Sequence, residues 1–275
     1  MSKIEGLELS SKIEEEIKQG NKGCIIRPSV AVIQIGDNEI SNIHTKLKEE
    51  ACNRVGIYYR YFKYEEDTPE LTIVNKIKEL NNDDYVNGIM LELPIPDKYN
   101  EKRLLNSILN TKDIDGLTDV NIGRLISGRK TFVPCTVAAI MAIIKENDID
   151  LEGKEVVVVG KGKLVGRPII YQLLNAGATV TVCHSKTEDL KKHTLDADII
   201  ISAAGVKGLI TEDMVKEDVI VIDVGCSIED GKVYGDVDSK VEKKASMITS
   251  KTGCIGPLSI AMFLKNVMTS YNNKK

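Results

Sequence analysis

Apolar positions along this chain repeat with two alternating periods. Leu9, Ile13 and Ile17 form one stripe, which predicts a helix over 9–19. Ser29–Ile35 (SVAVIQI) is a β-branched run ended by the turn residues Gly36-Asp37-Asn38, and it reads as a strand. Ile40, Ile43, Leu47 and Ala51 then recur at helical spacing, which predicts a helix from Ser41 to Val55 with these residues on the core. A strand over Tyr58–Phe62 and a helix over Pro69–Leu80 follow. The apolar run Gly88–Leu93 reads as a strand that Pro94 and Pro96 end sharply. A short helix, Glu101–Leu109, leads to the turn-rich Lys112-Asp113-Ile114-Asp115-Gly116. This β-α-β-α-β-α order predicts an open α/β domain with a mostly parallel sheet.

The second half repeats the alternation. A helix over 136–147 precedes strands at 155–159, 179–183, 198–202 and 219–224, with helices between the first three. Gly205, Gly208, Gly225, Gly231 and Gly235 mark strand ends, and Pro257–Tyr271 reads as a final helix. In open α/β sheets ligands lie at the carboxyl ends of strands, so these glycine loops predict one crevice. The fold class expected is two open α/β domains with a cleft between them.

The stretch Glu155–Pro168 (EVVVVGKGKLVGRP) carries the first chemical signal. A valine-rich buried strand runs into Gly160 and Gly162, and Gly166 opens a helix. Free backbone N–H groups and the positive end of the helix favour an anion there. Val165 stands where a dinucleotide fingerprint has its last glycine, so the pattern is one residue longer than usual. A tight βα turn without a ligand fits the same spacing.

Composition narrows the field. At 275 residues there is room for two domains, and 42% hydrophobic with 28% charged residues describe a soluble globular chain. A net charge of −4, without basic runs, argues against nucleic acid as partner. The charged N-terminus is no secretory signal, no stretch spans a membrane, and the expected location is cytoplasmic. The six cysteines are scattered and the three histidines stand apart from them, so reduced thiols are expected, with no disulfide frame and no metal.

Several stretches together resemble the methylenetetrahydrofolate dehydrogenase/cyclohydrolase family. They are residues 32–57 (VIQIGDNEISNIHTKLKEEACNRVGI), 88–96 (GIMLELPIP), 112–125 (KDIDGLTDVNIGRL), 134–136 (PCT), 157–168 (VVVGKGKLVGRP), 183–187 (CHSKT), 221–225 (VIDVG) and 235–237 (GDV). The resemblance implies a folate-binding catalytic domain made of residues 1–117 and 258–275. It implies a Rossmann-type NAD(P)-binding domain over 118–257.

It also implies roles. Lys48 falls at the family's essential lysine, and Ser41 and His44 lie with it on one helix stripe, at the substrate. His44 stands where the family has a tyrosine that stacks on the folate ring, and Glu92 where it has a glutamine bonded to the lysine. A carboxylate there favours the charged form of Lys48, so an active-site Glu92–Lys48 pair is expected. Asp115 matches the aspartate that accepts the pterin N–H groups, and Asp113 supports its loop. Leu93, Pro94, Gly256 and Pro257 line the folate. Around the cofactor the resemblance sets Thr136, Gly160, Lys161, Gly162, Val165, Gly166, His184, Ser185, Ala204, Gly205, Asp223, Gly225, Cys226 and Ser259. A further departure is Ser250–Ile255, where the family's two prolines are missing and Lys251 enters.

The reaction implied is oxidation of 5,10-methylenetetrahydrofolate to the methenyl form, then hydrolysis to 10-formyltetrahydrofolate. Hydride transfer needs juxtaposition, whereas hydrolysis needs water activated, so the changes at 44 and 92 are expected to weaken hydrolysis more. NADP is the cofactor expected, because Lys161 and Ser185 stand where the family holds the ribose phosphate and no acidic residue claims a 2′-hydroxyl. NAD is the alternative, since lysine lacks the fork of arginine. A homodimer through the nucleotide domain is implied. The rival readings are a dehydrogenase without hydrolase activity and a non-catalytic folate- or nucleotide-binding relative.

Overall fold

The computed structural model describes residues 2–229, 232–249 and 255–273. The elements in chain order are β1 (Ser2–Ile4), α1 (Leu7–Gly20), β2 (Ser29–Ile35), α2 (Glu39–Val55), β3 (Tyr58–Tyr64), α3 (Glu70–Asn82), β4 (Gly88–Leu91), α4 (Glu101–Asn106) and α5 (Asp119–Ile126). They continue as α6 (Cys135–Glu146), β5 (Glu155–Val159), α7 (Gly166–Asn175), β6 (Thr179–Cys183), α8 (Leu190–Thr194), β7 (Ile199–Ser202), β8 (Ile220–Asp223), β9 (Cys226–Glu229), β10 (Lys232–Gly235), β11 (Met247–Thr249) and α9 (Ile255–Asn272). The chain divides into two compact units, one of residues 9–135 and 259–275, the other of 1–8 and 136–258. The division at 135/136 lies later than the expected 117/118, and the first eight residues belong to the second unit. Both differences have physical causes. Asp119–Ile126 forms a helix whose N-cap, Thr118, and Asn121 are tied to Asp113, and β1 pairs in parallel with β11.

In the first unit the sheet order is β3-β2-β4, all parallel. β2 is central and buried along its whole length, as its unbroken β-branched run requires. Ile33, Ile73, Ile77, Leu80, Ile89 and Leu104 form the core against it. α9 is held to this unit by Ser270, whose hydroxyl donates to the carbonyls of Asn87 and Thr111, and by Tyr271, whose hydroxyl donates to Ile26.

The helix α2 corrects one expectation. Ile40, Ile43 and Leu47 are exposed, at 43%, 50% and 42%, and the buried stripe is Ser41, Thr45, Lys48, Ala51, Cys52 and Val55. The inward face holds polar groups because each finds a partner. Thr45 Oγ1 donates to the carbonyl of Ser41 at 3.0 Å, and Lys48 meets a carboxylate. With that stripe inward, the apolar residues of the first turns have no core to face.

In the second unit, among the described residues, the parallel sheet has the order β1-β11-β8-β7-β5-β6. The chain leaves β5 for β6 on one side and reaches β7 on the other, so the strand order reverses at the carboxyl end of β5. Val157, Val159, Cys183, Ile200, Val221 and Ile248 belong to the core of this unit. β9 and β10 form a separate antiparallel hairpin. Among the described residues no helix is long and apolar enough to cross a membrane.

Candidate functional site

Two constellations carry chemistry, one in each unit. In the first, Asn38 caps α2 by accepting the N–H of Ser41 at 3.1 Å, which fixes the start of the helix. Two turns on, Lys48 Nζ donates to Glu92 Oε2 at 2.5 Å. Glu92 follows β4, and its own N–H donates to the carbonyl of Ile33 at 2.8 Å, so the strand ladder aims its side chain. Both residues are buried, Lys48 8% and Glu92 3% exposed, and the Phe263 ring lies 5.9 Å from the ammonium. Two charges survive such burial only as a close pair. The other carboxylate oxygen, Oε1, lies 3.8 Å from Nδ1 of His44, whose side chain is 56% exposed. Partial burial holds the His44 imidazole below its ordinary range, the charge of Lys48 adds to this, and Glu92 opposes it.

Asp115 sits in a loop built to hold it. Asp113 accepts the N–H groups of Leu117 and Thr118 and the amide of Asn121. Gly116 has φ +66°, and a Cβ there would stand 2.4 Å from the carbonyl oxygen of Phe132, so only glycine fits. Asp115 accepts the N–H of Cys135 at 3.2 Å. Burial pushes its carboxyl up to about 6, against the opposing pull of Lys48 and of the Cys135 N–H. The Cys135 thiol is raised well above its usual range, by burial first and by Asp115 next. Asn266 on α9 donates to the carbonyls of Ile114 and Val133 at 2.8 and 3.1 Å, and so ties both loops to one helix. Leu93 and exposed Pro94 are joined by a cis peptide after Glu92. At the start of α9, Gly256 is exposed, and Pro257 and Ser259 are half-buried.

The second constellation lies at the carboxyl ends of β5 to β8. A Cβ on Gly160 would stand 2.4 Å from the carbonyl oxygen of Ala203, and one on Gly166 would stand 2.2 Å from that of Gly160. Strand, turn and helix approach too closely for any side chain there. Gly162 meets nothing within 4 Å, so its missing side chain leaves open space above the turn. Val165 gives α7 no side-chain cap. An open turn ahead of an uncapped ten-residue helix suits a phosphate. Lys161 and Ser185 are exposed at the ends of neighbouring strands, while His184 Nδ1 accepts the N–H of Lys186 at 3.1 Å. Ala204 and Gly205 follow β7, and Gly225 and Cys226 follow β8. Thr136 is half-buried in the first turn of α6.

Asp223 is bound within this loop system: its carboxylate accepts the N–H groups of Asp236 and Val237 at 3.0 and 3.1 Å. Asp236, fully buried, accepts in turn from the Ser202 hydroxyl and the N–H groups of Ala204 and Val206. The expected site residues did not include Asp236, although the Gly-Asp-Val stretch was visible. They did not include Cys135 or Asn266 either. The cysteine lies in the Pro134-Cys135-Thr136 stretch, but the asparagine gives no signal within its apolar helix. The altered segment Ser250–Cys254, with Lys251 and Gly253, and also Gly231, lie outside the described residues. Of the described cysteines Cys52, Cys135 and Cys183 are buried, Cys24 is half-buried and Cys226 is exposed, and all are free. Among the described residues no cluster of three or more His, Cys, Asp or Glu could hold a metal. A surface recess of the second unit, lined by Asn147, Lys154, Asp198 and Lys216, is at the opposite ends of its strands and holds none of these residues.

A glycine turn where a parallel sheet reverses its order, and a buried lysine–carboxylate pair in the companion unit, define a nucleotide-dependent enzyme of the α/β class. Residues 4–115 match the tetrahydrofolate dehydrogenase/cyclohydrolase catalytic domain, and residues 134–275 match the NAD(P)-binding domain of the same family. The chain belongs to the tetrahydrofolate dehydrogenase/cyclohydrolase family. The bifunctional protein FolD of Campylobacter jejuni is 45% identical over 280 residues, 100% of this chain and 99% of that one. The FolD crystal structure from that organism superposes with a TM-score of 0.97 at 44% identity, covering 100% of both chains. The Trypanosoma brucei methylenetetrahydrofolate dehydrogenase-cyclohydrolase, complexed with NADP cofactor and inhibitor, gives 0.95 at 30% identity over 99% of this chain and 98% of that one.

Proposed function

We propose that this chain oxidises 5,10-methylenetetrahydrofolate to 5,10-methenyltetrahydrofolate with NADP, and hydrolyses the product to 10-formyltetrahydrofolate, the hydrolysis being the weaker of the two activities. The observation that carries this reading is the buried Lys48–Glu92 pair in a chain whose both parts match one folate family.

The unit of residues 9–135 and 259–275 is assigned the folate. Asp115 offers a carboxylate to the pterin edge, and Ser41, His44, Leu93 and Pro94 line the ring; Gly256 and Pro257, in the first turn of α9, are assigned to the folate as well. Bound NADP supplies the hydride acceptor. The residues assigned to it are the open turn at Gly160, Lys161, Gly162, Val165 and Gly166, with Lys161 and Ser185 for the ribose phosphate. Thr136, His184, Ala204, Gly205, Asp223, Gly225, Cys226 and Ser259 shape the rest of its pocket. Oxidation needs the chain only to hold two molecules in register, because the folate nitrogen supplies the electron push. Hydrolysis needs in addition a way out for a proton of the attacking water, and the buried Lys48–Glu92 pair, 2.5 Å apart, has to pass that proton on before the next turnover, so hydrolysis is assigned as the slower activity.

A homodimer through the nucleotide unit and a cytoplasmic location belong to the same reading. Purified protein assayed for methenyl formation and for methenyl hydrolysis tests it. Absence of methenyl product with either NADP or NAD would leave only a binding relative.

A further inference from the structure

We propose that Lys48, Glu92 and His44 form a relay that carries the proton of the hydrolysis step from the buried lysine to solvent. The inference rests on the folate reading above and deepens it.

The reaction sets the requirement. Water adds to a methenyl cation and a carbon–oxygen bond forms; a carbon–nitrogen bond then breaks, the freed nitrogen keeping the electron pair and taking one of water's two protons, and the reacting centre becomes neutral. One proton per turnover therefore has to leave. Lys48 and Glu92 are 8% and 3% exposed, so neither hands a proton directly to bulk water. Glu92 has its two oxygens on different partners, Oε2 on Lys48 at 2.5 Å and Oε1 facing His44 Nδ1 at 3.8 Å. His44 is the member of the three with its side chain mostly in solvent. The proton taken from water reaches the lysine–carboxylate pair, passes from Glu92 Oε1 to Nδ1 of a neutral imidazole, and leaves to solvent from Nε2. A small side-chain rotation, or one water, closes the 3.8 Å gap to transfer distance.

His44 is poised to accept. Its charged neighbours are Lys48 on its own helix and Glu92 after β4, and burial with Lys48 keeps the ring neutral at neutral pH. A tyrosine and a glutamine, which the family resemblance sets at these two positions, offer no such path. A phenol titrates far above neutrality, and an amide carries no net proton.

The test follows methenyl hydrolysis directly, without nucleotide and corrected for the uncatalysed rate, beside the dehydrogenase assay. His44→Ala is expected to lower the hydrolysis kcat by about tenfold or more, with partial recovery in added imidazole. Glu92→Gln is expected to lower it as well, and the double variant to fall no further than the worse single one. In the wild type, hydrolysis falls as pH drops through the lowered His44 range, and His44→Tyr loses that limb. Faster hydrolysis in Glu92→Gln would mean that the carboxylate merely traps the lysine, and would overturn the relay. So would a His44→Ala protein with unchanged kcat and pH profile. A wild type that oxidises without hydrolysing overturns the relay and the hydrolase half of the proposed function together. A wild type that does neither overturns the whole reading.

Discussion

The N–H of Cys135 donates to Oδ1 of Asp115 at 3.2 Å, joining two loops that Asn266 also ties to α9. This bond and the Lys48 charge hold Asp115 down only partly, and burial wins, leaving the carboxyl near 6. An acid raised above its unfolded value of 3.8 works against the fold once it ionises. Its stabilising proton is present at low pH and is lost as pH rises from about 4 through 6.

Asp115→Asn is therefore expected to raise stability above pH 7 by up to about 3 kcal/mol while abolishing turnover. The gain should vanish near pH 4. Urea-unfolding midpoints of both proteins across this range check it, and a gain that does not change with pH would refute the assigned cause.

Lys48→Ala leaves Glu92 buried without its closest cation. The expected result is loss of methenyl hydrolysis and destabilisation by about 3 kcal/mol or more. Adding Glu92→Gln should recover part of the stability and none of the activity. Unimpaired hydrolysis in Lys48→Ala would remove the lysine from the mechanism.

The glycines of the nucleotide turn should separate cleanly. Gly166→Ala forces a Cβ to 2.2 Å from the carbonyl oxygen of Gly160, and destabilisation by about 1–3 kcal/mol with loss of NADP binding is expected. Gly162→Ser meets open space, so its stability should stay within about 0.5 kcal/mol of the parent. Its added hydroxyl should lower the KM for NADP. Thermal unfolding and steady-state kinetics on the two variants decide the matter.

Lys161→Glu puts a negative charge where the ribose phosphate is assigned. The KM for NADP should rise by at least about tenfold, a change near 1.4 kcal/mol, while the KM for NAD changes little. An unchanged preference counts against Lys161 as the phosphate partner.

The strands and the order of alternation were legible because a buried parallel strand has to be an unbroken apolar run. Ser29–Ile35 and Glu155–Val159 sit where their β-branched residues put them. The inward face of α2 was not legible. Hydrophobic periodicity finds two stripes on that helix, and it cannot know that the polar one is neutralised from β4 and goes inside. Short strands such as β1 and β11, three residues each, carry too few side chains to show a period. The pair of Lys48 with Glu92 was anticipated through family resemblance and the chemistry of a lysine beside a carboxylate. The third contact, from Glu92 to His44, depends on a rotamer that no sequence pattern encodes.

The pairing of β1 with β11, and the return of α9 to the first unit, have a consequence for how the chain is made. Each unit is closed by residues from both ends of the sequence, Ser2–Ile4 with Met247–Thr249 in one and Leu9–Cys135 with Ser259 onward in the other. A ribosome that has delivered the first 135 residues has delivered neither unit whole. Cutting the gene at that boundary would give one fragment without its last helix and another without its edge strand. Neither half is a ready-made module for transplantation, and a scheme to express one alone has to splice in the missing terminus.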